Sequence, residues 1–159
     1  MATSKWGQVV DALVALMAAQ DGYRDAGTRG TDIPVFDGLE VGLSDQTAAS
    51  WLAIGWTDPE QDESEPGSVE QEYLAMGGPM QEAGRVTCRV QSYRGDSAVS
   101  TARSAASAVL DDVIELLRAD KTLGGVVKKS YVSGYQPSQD IGNGVWFWWT
   151  FTVDYWSDI

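Results

Sequence analysis

The 159 residues include no histidine, so the chain cannot build a Ser-His-Asp triad, a Cys-His pair, a histidine-ligated metal or an imidazole proton shuttle. Chemistry would have to come from its 23 acids, its 11 Lys and Arg, its tyrosines or its single cysteine, Cys88. One thiol rules out an internal disulfide framework and any multi-cysteine zinc or iron–sulfur site. Val86, Cys88 and Val90 alternate with Thr87, Arg89 and Gln91, the period of a half-buried strand. Cys88 is therefore expected to be a small core residue, with no cationic cluster to make it reactive. Asp58, Asp62, Glu63 and Glu65 could ligate calcium, but the EF-hand spacing and its glycine are missing, and a solvated acidic loop accounts for them better. Glycosidase-type carboxylate pairs cannot be singled out among so many acids. The run GGVVKKS at 124–130 has Lys128 where a phosphate-binding loop needs glycine, and reads as a helix end entering a strand. No cofactor and no metal are expected, and a binding or structural role is favoured over an enzyme.

The charge is segregated. Of a net charge of −12, the whole imbalance lies between Arg29 and Arg85, where 12 acids occur and no base. The densest part holds Asp58, Glu60, Asp62, Glu63, Glu65, Glu70 and Glu72, and its self-repulsion predicts an exposed acidic loop at about 57–68 on a nearly neutral scaffold. Such a balance argues against free nucleic acid as a partner.

The elements that would position these residues follow from periodicity. Trp6, Val9, Val10, Leu13, Val14 and Met17 recur at helical spacing, predicting an amphipathic helix over about Lys5 to Gln20 that Ser4 can cap. Lys5, an apolar run and Ala18-Ala19 also fit a signal peptide, a reading that Asp11 interrupts. The apolar run Ala12 to Ala19 is too short to span a membrane. One cysteine and no signal suit the cytoplasm. Pro34 to Phe36 predict a short extended piece, Trp51 to Trp56 a strand, and Val69–Met76 with Glu82–Tyr93 an antiparallel pair joined across Gly77, Gly78 and Pro79. A second helix is expected over about Ala98 to Asp120, capped by Asp96 or Ser97, with Val99, Ala102, Ala106, Val109, Leu110, Val113, Ile114 and Leu117 on one stripe. Two strands, Val126–Gly134 and Gly144–Ser157, should flank a polar loop of Gln136, Pro137, Ser138, Asp140, Gly142 and Asn143. The expected fold class is one α+β domain over 1–159: a mostly antiparallel sheet of about 4–6 strands packed against one long helix plus an N-terminal helix.

The final strand is aromatic on both faces. Val145, Phe147, Trp149, Phe151, Val153 and Tyr155 form one, while Trp146, Trp148, Thr150, Thr152, Asp154 and Trp156 form the other. A half-exposed strand alternates apolar with polar, so Trp146, Trp148 and Trp156 predict that the second face is covered at least in part. Three covers are open: the first helix within the monomer, another copy of the chain, or a sugar lying on a tryptophan platform.

In chain order, an N-terminal helix, the piece ending Phe36-Asp37-Gly38, the strand WLAIGWTDP at 51–59, a strand pair, one long alanine-rich helix and the strand GVWFWWTFTVDYW at 144–156 resemble the tail-terminator, or tail-to-head joining, proteins of long-tailed phages (siphophages). The resemblance spans nearly the whole chain except the acidic loop after Pro59. It implies a virion structural protein that forms a ring of six subunits, caps the tail tube, ends tube polymerisation and offers a surface to the head connector or a head-completion protein. Its partners would be itself, the tail tube protein and that head protein; DNA would pass through without specific binding, with no membrane involved. The protein would reside in the virion tail after assembly in the host cytoplasm, with no enzymatic activity. Asp58, Glu60, Asp62, Glu63 and Glu65, if they line the channel, would repel the phosphate backbone and let the genome slide. The rival readings are another head-completion or tail-tube protein and a secreted carbohydrate-binding module.

Overall fold

A computed structural model describes residues 4–38, 50–58, 64–73, 76–95, 98–142 and 144–159. In chain order the elements are α1 (Trp6–Ala18), β1 (Tyr23–Asp25), β2 (Ile33–Asp37), β3 (Ser50–Ile54), β4 (Gly67–Tyr73), β5 (Met80–Arg94), α2 (Val99–Ala119), β6 (Lys129–Gly142) and β7 (Gly144–Asp158). The strands form one α+β sheet in the order β1-β2-β3-β5-β7-β6, with β4 pairing β5 beside β3. β5 and β7 run antiparallel in register from Gln81↔Asp158 to Arg94↔Val145 and form the spine of the molecule.

Both helices lie on the same face of this sheet. Val9, Val10, Leu13 and Met17 of α1 and Ala102, Ala106, Val109, Leu110, Val113 and Leu117 of α2 join Leu52, Ile54, Val86, Cys88, Val90, Val145, Phe147, Phe151, Val153 and Tyr155 in a single buried cluster. The alanines in the first half of α2 let that half lie close on the strands. Cys88 is part of this core, and burial pushes its thiol up to about 12, which keeps it protonated and inert.

The cap position of the first helix is Lys5, without a side-chain cap; Ser4, one residue earlier, accepts from the amide of the first helical residue, Trp6, at 3.0 Å. The proposed caps of α2, Asp96 and Ser97, lie outside the described residues; Ala98 at the cap position offers no side-chain hydrogen bond. At the other end the Asp120 carboxylate accepts from the Thr122 hydroxyl and the Gly124 amide, and the chain turns through Leu123, Gly124 and Gly125 at positive φ. Leu123 tolerates φ 52 because its side chain is driven into the core, 1% exposed.

Two expectations need correction. Among the described residues the sheet has seven strands rather than 4–6, and although it is mostly antiparallel as expected, β1–β2 and β2–β3 pair parallel and make it mixed. β1 is three residues long and carries no alternation to read. Its short connection to β2 is held by the Arg24 guanidinium, which donates to the carbonyls of Asp32 and Thr28. The polar loop expected after Gly134 is also strand: β6 continues through Gln136, Pro137, Ser138 and Asp140 to Gly142, paired with β7, while Asn143 lies outside the described residues. Turn-like composition misleads here because β6 is an edge strand, mostly exposed, where Pro137 can turn its missing donor away from the ladder.

Candidate assembly interface

Alternation along β7 sends two sets of side chains to opposite faces. The helix-side set is closed: Val145, Phe147, Phe151, Val153 and Tyr155 are buried. Trp149 is half-buried, its indole N–H donating to Ser107 on α2 at 3.1 Å. The opposite set is open. Trp146 and Trp148 are half-buried and Trp156 is 37% exposed, and none of the three belongs to the helix-side core. The expectation that the first helix could cover them is therefore corrected, because α1 spends its apolar stripe on the other side of the sheet.

The outer face has its own chemistry. Arg89 on β5 is registered between Ala53 of β3 and Thr150 of β7, and its guanidinium lies 4.5 Å from the ring centroids of both Trp56 and Trp148. A planar cation between two indoles gains from both π faces. Its Nε is buried with no hydrogen-bond partner among the described residues. Burial lowers the guanidinium pKa and the nearby Asp58 opposes that, leaving a charged group in a partly desolvated site. One row away, Tyr93 is paired with Trp146, the rings 4.5 Å apart and tilted by 42°. Gly144 makes this possible: it has φ 103, and a Cβ there would run into the Tyr93 ring. Beyond β5, Phe36, Trp51, Ala53 and Trp56 form a second, smaller buried cluster, with Phe36 edge-on to Trp51. Trp156 stands apart at the far end of β7, eight residues and roughly 27 Å from Trp148, with the Lys128 ammonium 4.9 Å from its ring centroid. The structure thus brings Trp146 and Trp148 into one aromatic and cationic patch and leaves Trp156 outside it.

The acidic segment starts beside that patch. The Trp56 amide donates to the Thr87 carbonyl, and the Thr87 amide donates to the Pro66 carbonyl, so the segment leaves and rejoins the sheet at one β5 residue. The Asp58 amide donates to the Ser64 hydroxyl at 2.7 Å, closing the segment at its base. Glu65 is exposed. Glu60, Asp62 and Glu63 lie outside the described residues.

One acid has a different fate. Glu82 is fully buried, and its Oε1 accepts from the Ser4 hydroxyl, the Lys5 amide and the Tyr155 hydroxyl, while Oε2 accepts from Gln71. Burial by itself would raise its pKa. The hydrogen bonds from Tyr155, Gln71, Lys5 and Ser4 outweigh it and hold the carboxyl below its ordinary value. A carboxylate at the start of α1 also meets the positive end of the helix dipole. Glu82 therefore clasps the first helix to the sheet. A signal for it exists in the sequence, because Glu82, Gly84, Val86, Cys88 and Val90 share one phase of the alternation, which puts Glu82 on the core side. Arg89 carried no comparable signal, since its indole partners come from β7 and from the chain after β3.

No protein-family model matches this chain, and a search of curated proteins also gives no match.

Proposed function

We propose that the protein is a tail terminator of a long-tailed phage: a non-enzymatic virion protein that closes into a ring, six-fold by the resemblance, caps the tail tube and meets the head connector or a head-completion protein. The observation that carries this reading is the open face of β7. Both helices are committed to one side of the sheet, so Trp146, Trp148, Tyr93 and the Arg89 stack remain as a preformed, partly desolvated surface. Interface hot spots are rich in tryptophan, tyrosine and arginine, each often contributing about 2 kcal/mol or more. A second copy of the chain is the occupant this face suits best. A sugar platform needs free ring faces, whereas the Arg89 guanidinium lies over the Trp148 ring and Trp146 packs against the tilted ring of Tyr93.

In the ring the acids of the 57–68 segment line the channel and repel the DNA backbone, so the genome passes without being held. Assembly takes place in the host cytoplasm and the product resides in the virion tail.

Electron microscopy of tails made with and without the protein is the test. Uncontrolled tube length in its absence is the expected result; tubes of normal length that still join heads would overturn the reading. Unchanged DNA ejection after neutralising Asp58, Glu60, Asp62, Glu63 and Glu65 would remove the channel assignment alone. A gene lying away from that of the major tube protein would favour a different head-completion or tail protein.

A further inference from the structure

The sheet has two chemically opposite edges. At the level of Ala83 it is four strands wide, and the registers Glu70↔Ala83, Ala83↔Trp156 and Trp156↔Lys129 place an acid at one margin and a base at the other in one cross-strand row. The β4 margin carries Glu70 and Glu72 on the outer face, both exposed, with Glu65 just before it and no base on the strand. On its helix side, Val69 is 39% and Tyr73 67% exposed. The β6 margin carries Lys129 on the outer face. On its helix side, Ile114, Leu117, Val132 and Tyr135 line a groove between α2 and β6, rimmed by Arg118 and Lys121. Each margin thus holds charge on its outer side and uncovered apolar surface on its helix side, and the charges are of opposite sign.

Strand direction allows the two margins to meet. β4, β5, β7 and β6 are successively antiparallel, so β4 and β6 run in opposite directions. Rotation about an axis along the strands would bring β4 of one copy against β6 of the next as an antiparallel pair. Among the described residues neither strand has a partner on its outward side. Pro137 withholds a donor from the far part of β6, which confines pairing to the Lys129 end.

We propose that copies of this chain join head to tail through these margins, β4 of one subunit docking on β6 of the next, with Glu70 and Glu72 facing Lys129 while Val69 and Tyr73 enter the α2–β6 groove. This rests on the ring reading and gives it a direction, because a contact between two different surfaces of one chain closes into a ring when the rotation allows. Charge sets the register and rejects the reversed pairing.

Two variants with reversed margins test it: Glu70→Lys with Glu72→Lys, and Lys121→Glu with Lys129→Glu. All four residues are exposed, so both variants should keep the wild-type circular dichroism and thermal transition. Each alone should assemble about 100-fold more weakly, as like charges meet at every junction. Mixed in equal amounts they should alternate and recover rings, scored by sedimentation and by occupancy of tube ends in micrographs. Rings formed by either variant alone at wild-type concentration, or a mixture that fails to recover, would overturn the margin pairing while leaving the ring reading standing. A wild-type chain that neither self-associates nor occupies tube ends would overturn both.

Discussion

The two faces of β7 are made of similar residues and end in opposite states. On the helix side Phe147, Phe151 and Tyr155 are sealed beneath α1 and α2; on the outer side Trp146, Trp148 and Trp156 are left partly open. The difference lies in the partners rather than in the hydrophobicity of the strand. The inner side chains meet two amphipathic stripes, while among the described residues the outer ones meet single side chains beside them: Tyr93 at Trp146, Arg89 at Trp148 and Lys128 at Trp156. An aromatic side chain is therefore committed to folding on one face, and on the other is the place to test the proposed association.

Substitutions separate these roles. The largest effect is expected from Phe151→Ala, which leaves a cavity under the helices and should cost about 3–5 kcal/mol in chemical denaturation. A loss below about 1 kcal/mol would show that the helix side is not the load on which the fold depends. Next comes Glu82→Ala. It strips the acceptor from the Lys5 amide and the Tyr155 hydroxyl in a buried site and should cost about 2–3 kcal/mol. The pH dependence has a fixed sign. Because the folded Glu82 pKa is depressed, its contribution is complete above the ordinary value near 4.5 and is lost as pH falls through the lower folded value. Glu82→Gln should flatten that acid limb in pH-dependent denaturation, and an unchanged limb would assign it to other carboxylates.

Trp148→Ala should be milder for the monomer, about 1 kcal/mol for the loss of its stack on Arg89. Its larger effect should be on assembly, about 2 kcal/mol or some 30-fold by sedimentation. Trp156→Ala should likewise leave a folded subunit that assembles poorly. Unfolding of the isolated subunit by either change would turn the outer face into core and erase the contrast between the faces. The smallest effect is expected from Arg85→Ala. Arg85 makes a two-pronged pair with Asp154 on the same outer face but is half-exposed, so removal should change stability by less than about 1 kcal/mol.

Periodicity made the helices and β7 legible in the sequence. The stripe from Ala102 to Leu117 needed no knowledge of its partners, and neither did the alternation around Cys88. Legibility failed where the outcome depended on a neighbour. Gln136 to Gly142 read as a turn because its residues are polar; they extend as a strand because β7 presents a long ladder to pair with. Tyr23 to Asp25 became a strand only by lying beside Ile33 to Val35. At the outer face, the three tryptophans were visible from their phase. The side chains that organise them were not, because Arg89, Trp56 and Trp148 are brought together by two strand pairings and one chain exit. Glu82 looked like one more member of the acidic stretch, and only its phase distinguishes it from Glu70 and Glu72.

The insertion of β7 between β5 and β6 has a consequence for biosynthesis. β5, α2 and β6 are all translated before β7, yet β5 and β6 join one sheet only through β7, which pairs with each of them. The edge of each strand that faces β7 must wait unsatisfied, and the β5–β7 contacts that close the sheet join residues as far apart in sequence as Gln81 and Asp158, which makes closure slow. A nascent chain halted at the β6–β7 turn would hold a formed helix and no sheet spine, the condition in which stray strand pairing and chaperone capture compete with folding. The same exposed β5 and β6 edges would be present on every ribosome making the protein, so a cell producing many copies at once meets the aggregation hazard before the first native chain exists.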